Sequence, residues 1–155
     1  MGRKMANNSS LNIWDFQARL TRRLLAWAVP SIGLGFALMA FGGNFWQGFG
    51  LQAAVWGLVD AGIAWLGRRS ARKRQAAAGD SIRVAADEAR NLRRLLSVNV
   101  FLDVLYVLFG VWLARGPGLT NTFWLGGGWG ILVQGGFLLF FDSLHALRVP
   151  REVES

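Results

Sequence analysis

The sequence predicts an all-α membrane protein in which four transmembrane helices form one bundle, accompanied by short interfacial helices. Three observations lead to this fold class: long tracts almost without charge, basic residues confined to alternate connections, and two halves that resemble each other. Hydrophobic residues make up 53% of the 155 residues, which is more apolar surface than a soluble domain of this length needs. We therefore expect one membrane domain that occupies residues 1–155.

The apolar tracts have the length of membrane spans. Residues 24–67, 95–114 and 116–147 contain no Lys or Arg and one acidic residue each. A hydrocarbon core of ~30 Å needs about 20 apolar residues per helix, so the first tract is long enough for two helices and a tight turn. The predicted spans are residues 24–41, 49–67, 95–114 and 125–147.

Basic residues lie on one side of the predicted bundle. Of 17 Lys and Arg residues, all but Arg115 fall in residues 1–23, 68–94 and 148–155. The positive-inside rule places these three segments, and hence both termini, in the cytoplasm. Trp residues occur at both predicted boundaries, and Trp14 is expected at the inner one, where an indole ring suits the membrane–water interface.

The connection 68–94 carries a dense basic run. We expect the run to contact anionic lipid headgroups, although it could equally serve only to fix the orientation. Its residues are Arg68, Arg69, Arg72, Lys73 and Arg74. Nucleic-acid binding is not expected, because the positive-inside rule already accounts for the net charge of +8.

Two short helices are predicted at the inner membrane surface. Ser10 can cap one that carries Trp14. Asp80 or Ser81 can cap another that passes Leu92 and runs on into the third span.

The chain reads as two copies of a two-helix unit. Residues 18–25 and 89–96 are identical at six of eight positions. A Gln and an Asp eight residues apart recur in the second and fourth spans, as Gln52 with Asp60 and Gln134 with Asp142. Both copies would have the same orientation, which gives a parallel repeat about an axis along the membrane normal. The alternative is that Arg-Arg-Leu-Leu is ordinary sequence at a cytoplasmic helix start.

Small residues and one proline modify the spans. Gly126 and Gly130 form a GxxxG pair in the fourth span, and Ala53 with Gly57 continues this spacing in the second. Such residues let helix backbones approach closely, so we expect them at helix contacts. Pro30 is expected to kink the first span.

Several stretches carry a family resemblance. They are residues 45–46 (FW), 54–64 (AVWGLVDAGIA), 95–106 (LLSVNVFLDVLY) and 134–142 (QGGFLLFFD). Together they resemble a family of small bacterial four-span membrane proteins classed as a domain of unknown function. The resemblance covers nearly the whole chain and implies the four-span fold and an address in the bacterial inner (plasma) membrane. It implies no activity.

Ionisable groups inside the spans form the candidate site. At ~1.5 Å rise per residue, Asp60, Asp103 and Asp142 all lie roughly 9–14 Å from the cytoplasmic helix ends. A charge at mid-helix costs about 2.5–3.5 kcal/mol on insertion scales, so these faces must turn inward. Polar neighbours extend the candidate cluster: Asn99 and Tyr106 on the face of Asp103, His145 beside Asp142, and Gln52 and Gln134 two turns outward.

Two interpretations of this cluster are open. It could bind a proton, a cation or an amine, because three carboxyls in a low dielectric cannot all stay ionised without a counter-charge. It could also be structural, with the side chains joined by interhelical hydrogen bonds. His145 is three residues after Asp142, and we expect it to pair with that carboxyl.

The sequence offers no catalytic constellation. It has no Cys, a single His and no GxSxG motif, which excludes thiol catalysis, bis-His haem and a Ser-His-Asp triad. We expect a non-enzymatic binding, scaffold or accessory protein, with a small transporter or channel for protons, cations or amines as the alternative. No cofactor or metal site is expected. Membrane lipids are the expected partners, and a homo-oligomer or a membrane complex remains open.

Overall fold

The computed structural model describes residues 2–79 and 81–150, with side chains from residue 13 onward. It contains four long helices: α1 (Gly2–Phe41), α2 (Asn44–Ala78), α3 (Ile82–Arg115) and α4 (Thr122–Arg148). A 3-10 turn at Pro117–Leu119 joins the last two. No strand occurs in the described residues, so the all-α prediction is confirmed. All four helices are long and apolar enough to cross a membrane, and each contains one predicted span.

The helices extend well beyond the predicted spans. The helix predicted to begin near Ser81 and run on into the third span is confirmed as the first part of α3, whereas the separate short helix predicted to begin at Ser10 is wrong. α1 runs unbroken from Gly2 through Pro30, so Ser10 lies inside this helix and not at its start. α2 likewise continues through the basic run to Ala78. Residues 68–78 are mainly Arg, Lys, Gln and Ala, which are strong helix formers, and no Gly or Pro interrupts them.

Individual residues at the helix ends explain where α2 ends and where α4 begins. Gly79 ends α2 at a positive φ of 54°, a conformation that glycine adopts without steric cost. Ser81 stands at the N-cap of α3 but makes no side-chain capping bond, and Asp80 lies outside the described residues. Asn121 caps α4, because its Oδ1 accepts hydrogen bonds from the backbone N–H of Phe123 (2.9 Å) and of Trp124 (3.4 Å).

Backbone contact between α2 and α4 organises the bundle. A Cβ atom added at Gly126 would lie 1.8 Å from the carbonyl oxygen of Phe45, and one at Gly48 would lie 2.0 Å from that of Phe123. At Gly130 it would lie 2.8 Å from the Cβ of Gln52. The predicted packing role of Gly126 and Gly130 is therefore confirmed, and α4 presents this face to α2.

Glycines also allow close contact of α1 with α2 and of α3 with α4. α1 packs against α2, where a Cβ at Gly57 would lie 2.7 Å from Cγ1 of Ile32. Gly35 approaches α2 more closely still, since a Cβ there would lie 2.4 Å from the backbone nitrogen of Ala54. α3 packs against α4, and Gly128 meets the backbone of Ala114. The two hairpins, α1–α2 and α3–α4, thus join through the central α2–α4 contact.

Two buried apolar clusters hold the helices together. The one in the spans joins α1, α2 and α4 through Leu24, Ala64, Leu138 and Phe141. The other lies among the helix extensions and consists of Ile13, Trp14, Ala85, Ala89, Leu92, Leu96 and Val149. We expected Trp14 at the membrane boundary. In the structure it is buried in this second cluster, because the extension of α1 packs against that of α3.

Candidate polar site inside the helix bundle

The three aspartates all face the interior. Asp60 of α2 is 2% exposed, and Asp103 of α3 and Asp142 of α4 are also buried. The carboxyl of Asp60 is close enough to the other two for their negative charges to repel it, and Asp103 and Asp142 repel each other in the same way. α4 packs against both α2 and α3, which places these three groups in the same interior.

The carboxyls differ in their hydrogen bonds. The side chain of Asn99 bonds to Asp142 across the α3–α4 contact. By contrast, Oδ2 of Asp60 and Oδ2 of Asp103 are buried without a hydrogen-bond partner. Groups of this kind are uncommon in folded proteins, because an unpaired buried acceptor loses its hydration without compensation.

Among the described residues, no ion pair compensates these carboxyls. In the part of the chain that the structure describes, the ion pairs join Arg74 to Glu88 and Arg90 to Asp87, both on the helix extensions. The described residues also contain no group of three or more His, Cys, Asp or Glu side chains that could hold a metal ion. The two unpaired oxygens could instead coordinate a small cation, accept a hydrogen bond from an amine, or carry a proton.

The two glutamines play corresponding parts. Tyr106 of α3 donates its hydroxyl hydrogen to Oε1 of Gln52, at 3.2 Å. Trp27 of α1 donates its indole N–H to Oε1 of Gln134, at 2.9 Å. The Nε2 group of Gln134 also lies 3.5 Å from Oγ of Ser31. Each glutamine thus accepts from an aromatic donor on the other hairpin.

His145 does not pair with Asp142, and that prediction is wrong. Its Nδ1 lies 2.6 Å from the carbonyl oxygen of Phe141, and its Nε2 lies 3.3 Å from a guanidinium nitrogen of Arg23. A carbonyl can only accept and a guanidinium can only donate, so Nδ1 carries the hydrogen and Nε2 accepts. The imidazole therefore links α4 to α1 and turns away from the aspartate because the backbone oxygen four residues earlier holds it.

The predicted headgroup residues divide into two groups. Arg68, Arg69, Arg72 and Lys73 are exposed on the extension of α2. The Arg69 guanidinium lies 5.6 Å from the centre of the Trp65 ring, a cation–π distance. Arg74 instead turns toward α3 and bonds to Glu88 at 2.7 Å.

A second polar network, which the sequence did not predict, lies at the end of the bundle that carries the basic run. Nε2 of Gln17 donates to Oε1 of Glu88 at 2.7 Å, and the same oxygen accepts from Arg74. Gln17 and Glu88 are both buried. A signal existed: Gln17 and Thr21 lie one turn apart on an otherwise apolar face, and Thr21 bonds back to the carbonyl of Gln17.

Comparison with known proteins identifies a family. The model described as "Family of unknown function (DUF6992)" matches residues 23–143, so the chain belongs to this family. The match includes the three aspartates, all of α2 and α3, most of α4 and about half of α1. No match is found among curated proteins or among solved structures.

Proposed function

We propose that this DUF6992 member is a small integral protein of the bacterial inner membrane that acts as a binding, scaffold or accessory component without catalytic activity. In this proposal both termini and the connection between α2 and α3 face the cytoplasm, as the positive-inside rule predicts. The exposed Arg68, Arg69, Arg72 and Lys73 would then lie beside anionic lipid headgroups.

One observation carries the proposal: the polar side chains in the bundle bond mainly to one another, while large apolar side chains cover the outside. The interhelical bonds of Gln52, Gln134 and Asp142 fasten neighbouring helices. Phe101 and Trp112 are among many large side chains exposed on the outer surface, which suits contact with lipid chains or with helices of another protein. A molecule built in this way supports binding and assembly.

A second candidate function is transport of protons, cations or amines through the aspartate cluster. The observation that favours it is the pair of buried carboxyl oxygens without partners, on Asp60 and Asp103. Intramembrane carboxyls commonly mark ion and proton pathways.

Flux measurements on proteoliposomes separate the two candidates. Under the leading proposal, proton, cation and amine flux through the wild-type protein equals that of empty liposomes. Asp60→Asn and Asp142→Asn then leave flux unchanged and alter only thermal stability. Wild-type flux above background that Asp60→Asn removes, and that Asp15→Asn on the exposed face of α1 keeps, would instead establish transport. Substrate turnover by the purified protein would overturn the non-catalytic proposal.

A further inference from the structure

A groove separate from the aspartates opens between the inner halves of α1, α2 and α3. Its volume is about 320 Å³. One half is apolar and is lined by Leu20, Leu24, Ile63, Ala64, Leu92 and Leu95. The other half is polar and includes Gln17, Arg74, Glu88 and Asn91. None of the three aspartates lines it.

The polar and apolar residues are sorted along the groove. Gln17 precedes Leu24 by seven residues in α1, and Glu88 precedes Leu95 by seven in α3. Seven residues of helix correspond to about 10 Å. α2 runs in the opposite direction, so its Arg74 lies at the same end as Gln17 and Glu88. The groove is therefore amphipathic along the bundle axis, with its polar end on the side of the basic run.

Gln17, which lines this polar end, carries an unsatisfied acceptor. Gln17 is 7% exposed and uses its Nε2 to donate to Glu88. Its Oε1 is buried without a hydrogen-bond partner. The amide group cannot flip to give Oε1 a donor, because Oε1 would then face the carboxylate of Glu88 and two acceptors would meet. The site is thus incomplete until something donates an N–H or O–H to Gln17.

The charges beside Gln17 indicate what the donor is. Glu88 has one oxygen occupied by Gln17 and Arg74, and its negative charge favours a cationic donor. The Arg74 side chain is half exposed, so its remaining N–H groups can reach an anionic oxygen. A zwitterion with an ammonium and a phosphate matches this pair of charges.

The apolar half requires a hydrocarbon chain, and its rim is open at the side. Ile63 and Leu95 line the groove and are both more than half exposed on the outer surface of the bundle. In a bilayer that surface contacts acyl chains, so a lipid could enter sideways without leaving its leaflet.

We propose that the groove binds a phospholipid of the cytoplasmic leaflet whose headgroup is a primary ammonium, the phosphatidylethanolamine class. The ammonium donates to Oε1 of Gln17 beside Glu88, the phosphate lies near Arg74, and an acyl chain packs on Leu24 and Leu95. A quaternary choline headgroup has the same charge but no N–H, so it cannot complete the bond. This proposal rests on the membrane placement proposed above and names the lipid that the protein would bind.

Native mass spectrometry of the detergent-solubilised protein tests the proposal. Dioleoyl phosphatidylethanolamine, phosphatidylcholine and phosphatidylglycerol are added at equal concentrations, so that only the headgroup differs. A hydrogen bond from a charged donor discriminates by about tenfold or more, so phosphatidylethanolamine adducts should exceed phosphatidylcholine adducts by roughly that factor. Gln17→Leu should abolish the preference. Gln47→Leu is the matched control, because Gln47 bonds to the carbonyl of Gly42 at the opposite end of the bundle.

A second variant that blocks the groove sterically, together with its matched control, provides the test if Gln17→Leu does not fold. Ile63→Trp should fill the apolar half and reduce phosphatidylethanolamine adducts about tenfold, to the phosphatidylcholine level. Leu58→Trp should not, since Leu58 lies on the same helix with nearly equal exposure (54% against 52%) but does not line the groove.

Three outcomes would overturn the proposal. These are equal wild-type adducts with phosphatidylethanolamine and phosphatidylcholine, a preference that survives Ile63→Trp, and stronger binding of phosphatidylglycerol, which would assign lipid contact to the arginines alone. Each outcome leaves the flux measurements unaffected, so failure here is distinct from failure of the proposed function.

Discussion

The contact between α2 and α4 can be tested by adding one methyl group. In Gly126→Ala the new Cβ would lie 1.8 Å from the carbonyl oxygen of Phe45, 2.7 Å from its carbonyl carbon and 3.0 Å from its Cα. All three atoms belong to the backbone of α2, so no side-chain rotation can relieve the clash. An ordinary contact begins near 3.4 Å, and the two helices would have to separate by about 1.6 Å at this point.

That separation would also loosen the adjacent contact of Gly48 with Phe123. Overpacking of a close-packed contact costs about 1–3 kcal/mol, and we expect the upper part of this range because the opposing atoms are rigid. Gly136→Ala is the matched control on the same helix, where a Cβ would meet nothing within 4 Å. There the better helix propensity of alanine should leave stability unchanged or raise it by up to about 1 kcal/mol.

The assay is unfolding in mixed micelles with increasing dodecyl sulphate, followed by the fluorescence of the eight Trp residues. Gly126→Ala should unfold at a clearly lower dodecyl sulphate fraction than wild type, and Gly136→Ala at the same or a higher one. Equal stability of the two variants would refute the backbone contact between α2 and α4.

Two further predictions address the polar contacts and the orientation. Trp27→Phe removes the donor to Gln134 and should lower the free energy of unfolding by about 0.6–1.7 kcal/mol, whereas Trp129→Phe on the exposed face of α4 should not; equal losses would contradict the Trp27–Gln134 bond. Because the chain has no Cys, single cysteines can report on sidedness. Leu119→Cys should react with an impermeant maleimide from outside intact inner-membrane vesicles of native orientation, and Lys73→Cys only after permeabilisation; the reverse pattern would invert the proposed orientation.

The four helices were predictable from the sequence because charge patterning is a strong signal for apolar spans. Their lengths were underestimated, since the basic run after residue 67 marks the end of a hydrophobic tract and not the end of a helix. Arg, Lys, Gln and Ala are strong helix formers and continue the helix beyond the apolar tract, and the helix ends at Gly79. Hydropathy alone therefore could not place the extensions or the cluster in which Trp14 is buried.

The inward direction of Asp60, Asp103 and Asp142 was also predictable, because a bilayer offers a carboxyl no hydrogen-bond partner. The hydrogen-bond partners of these carboxyls were not predictable from the sequence. The near neighbour His145 was expected to pair with Asp142, but a backbone carbonyl competes for the imidazole and Asn99 of another helix bonds to the carboxyl.

By itself the sequence determined the number of helices, their apolar character and the inward direction of the acidic groups. These properties follow from composition and helical periodicity, which act along one segment at a time. Tertiary structure alone decided which polar groups meet, which oxygens of Asp60, Asp103 and Gln17 remain unpaired, and where the groove opens. Such contacts join residues up to 122 positions apart, and they depend on the rotation and spacing of whole helices, to which the glycine contacts contribute.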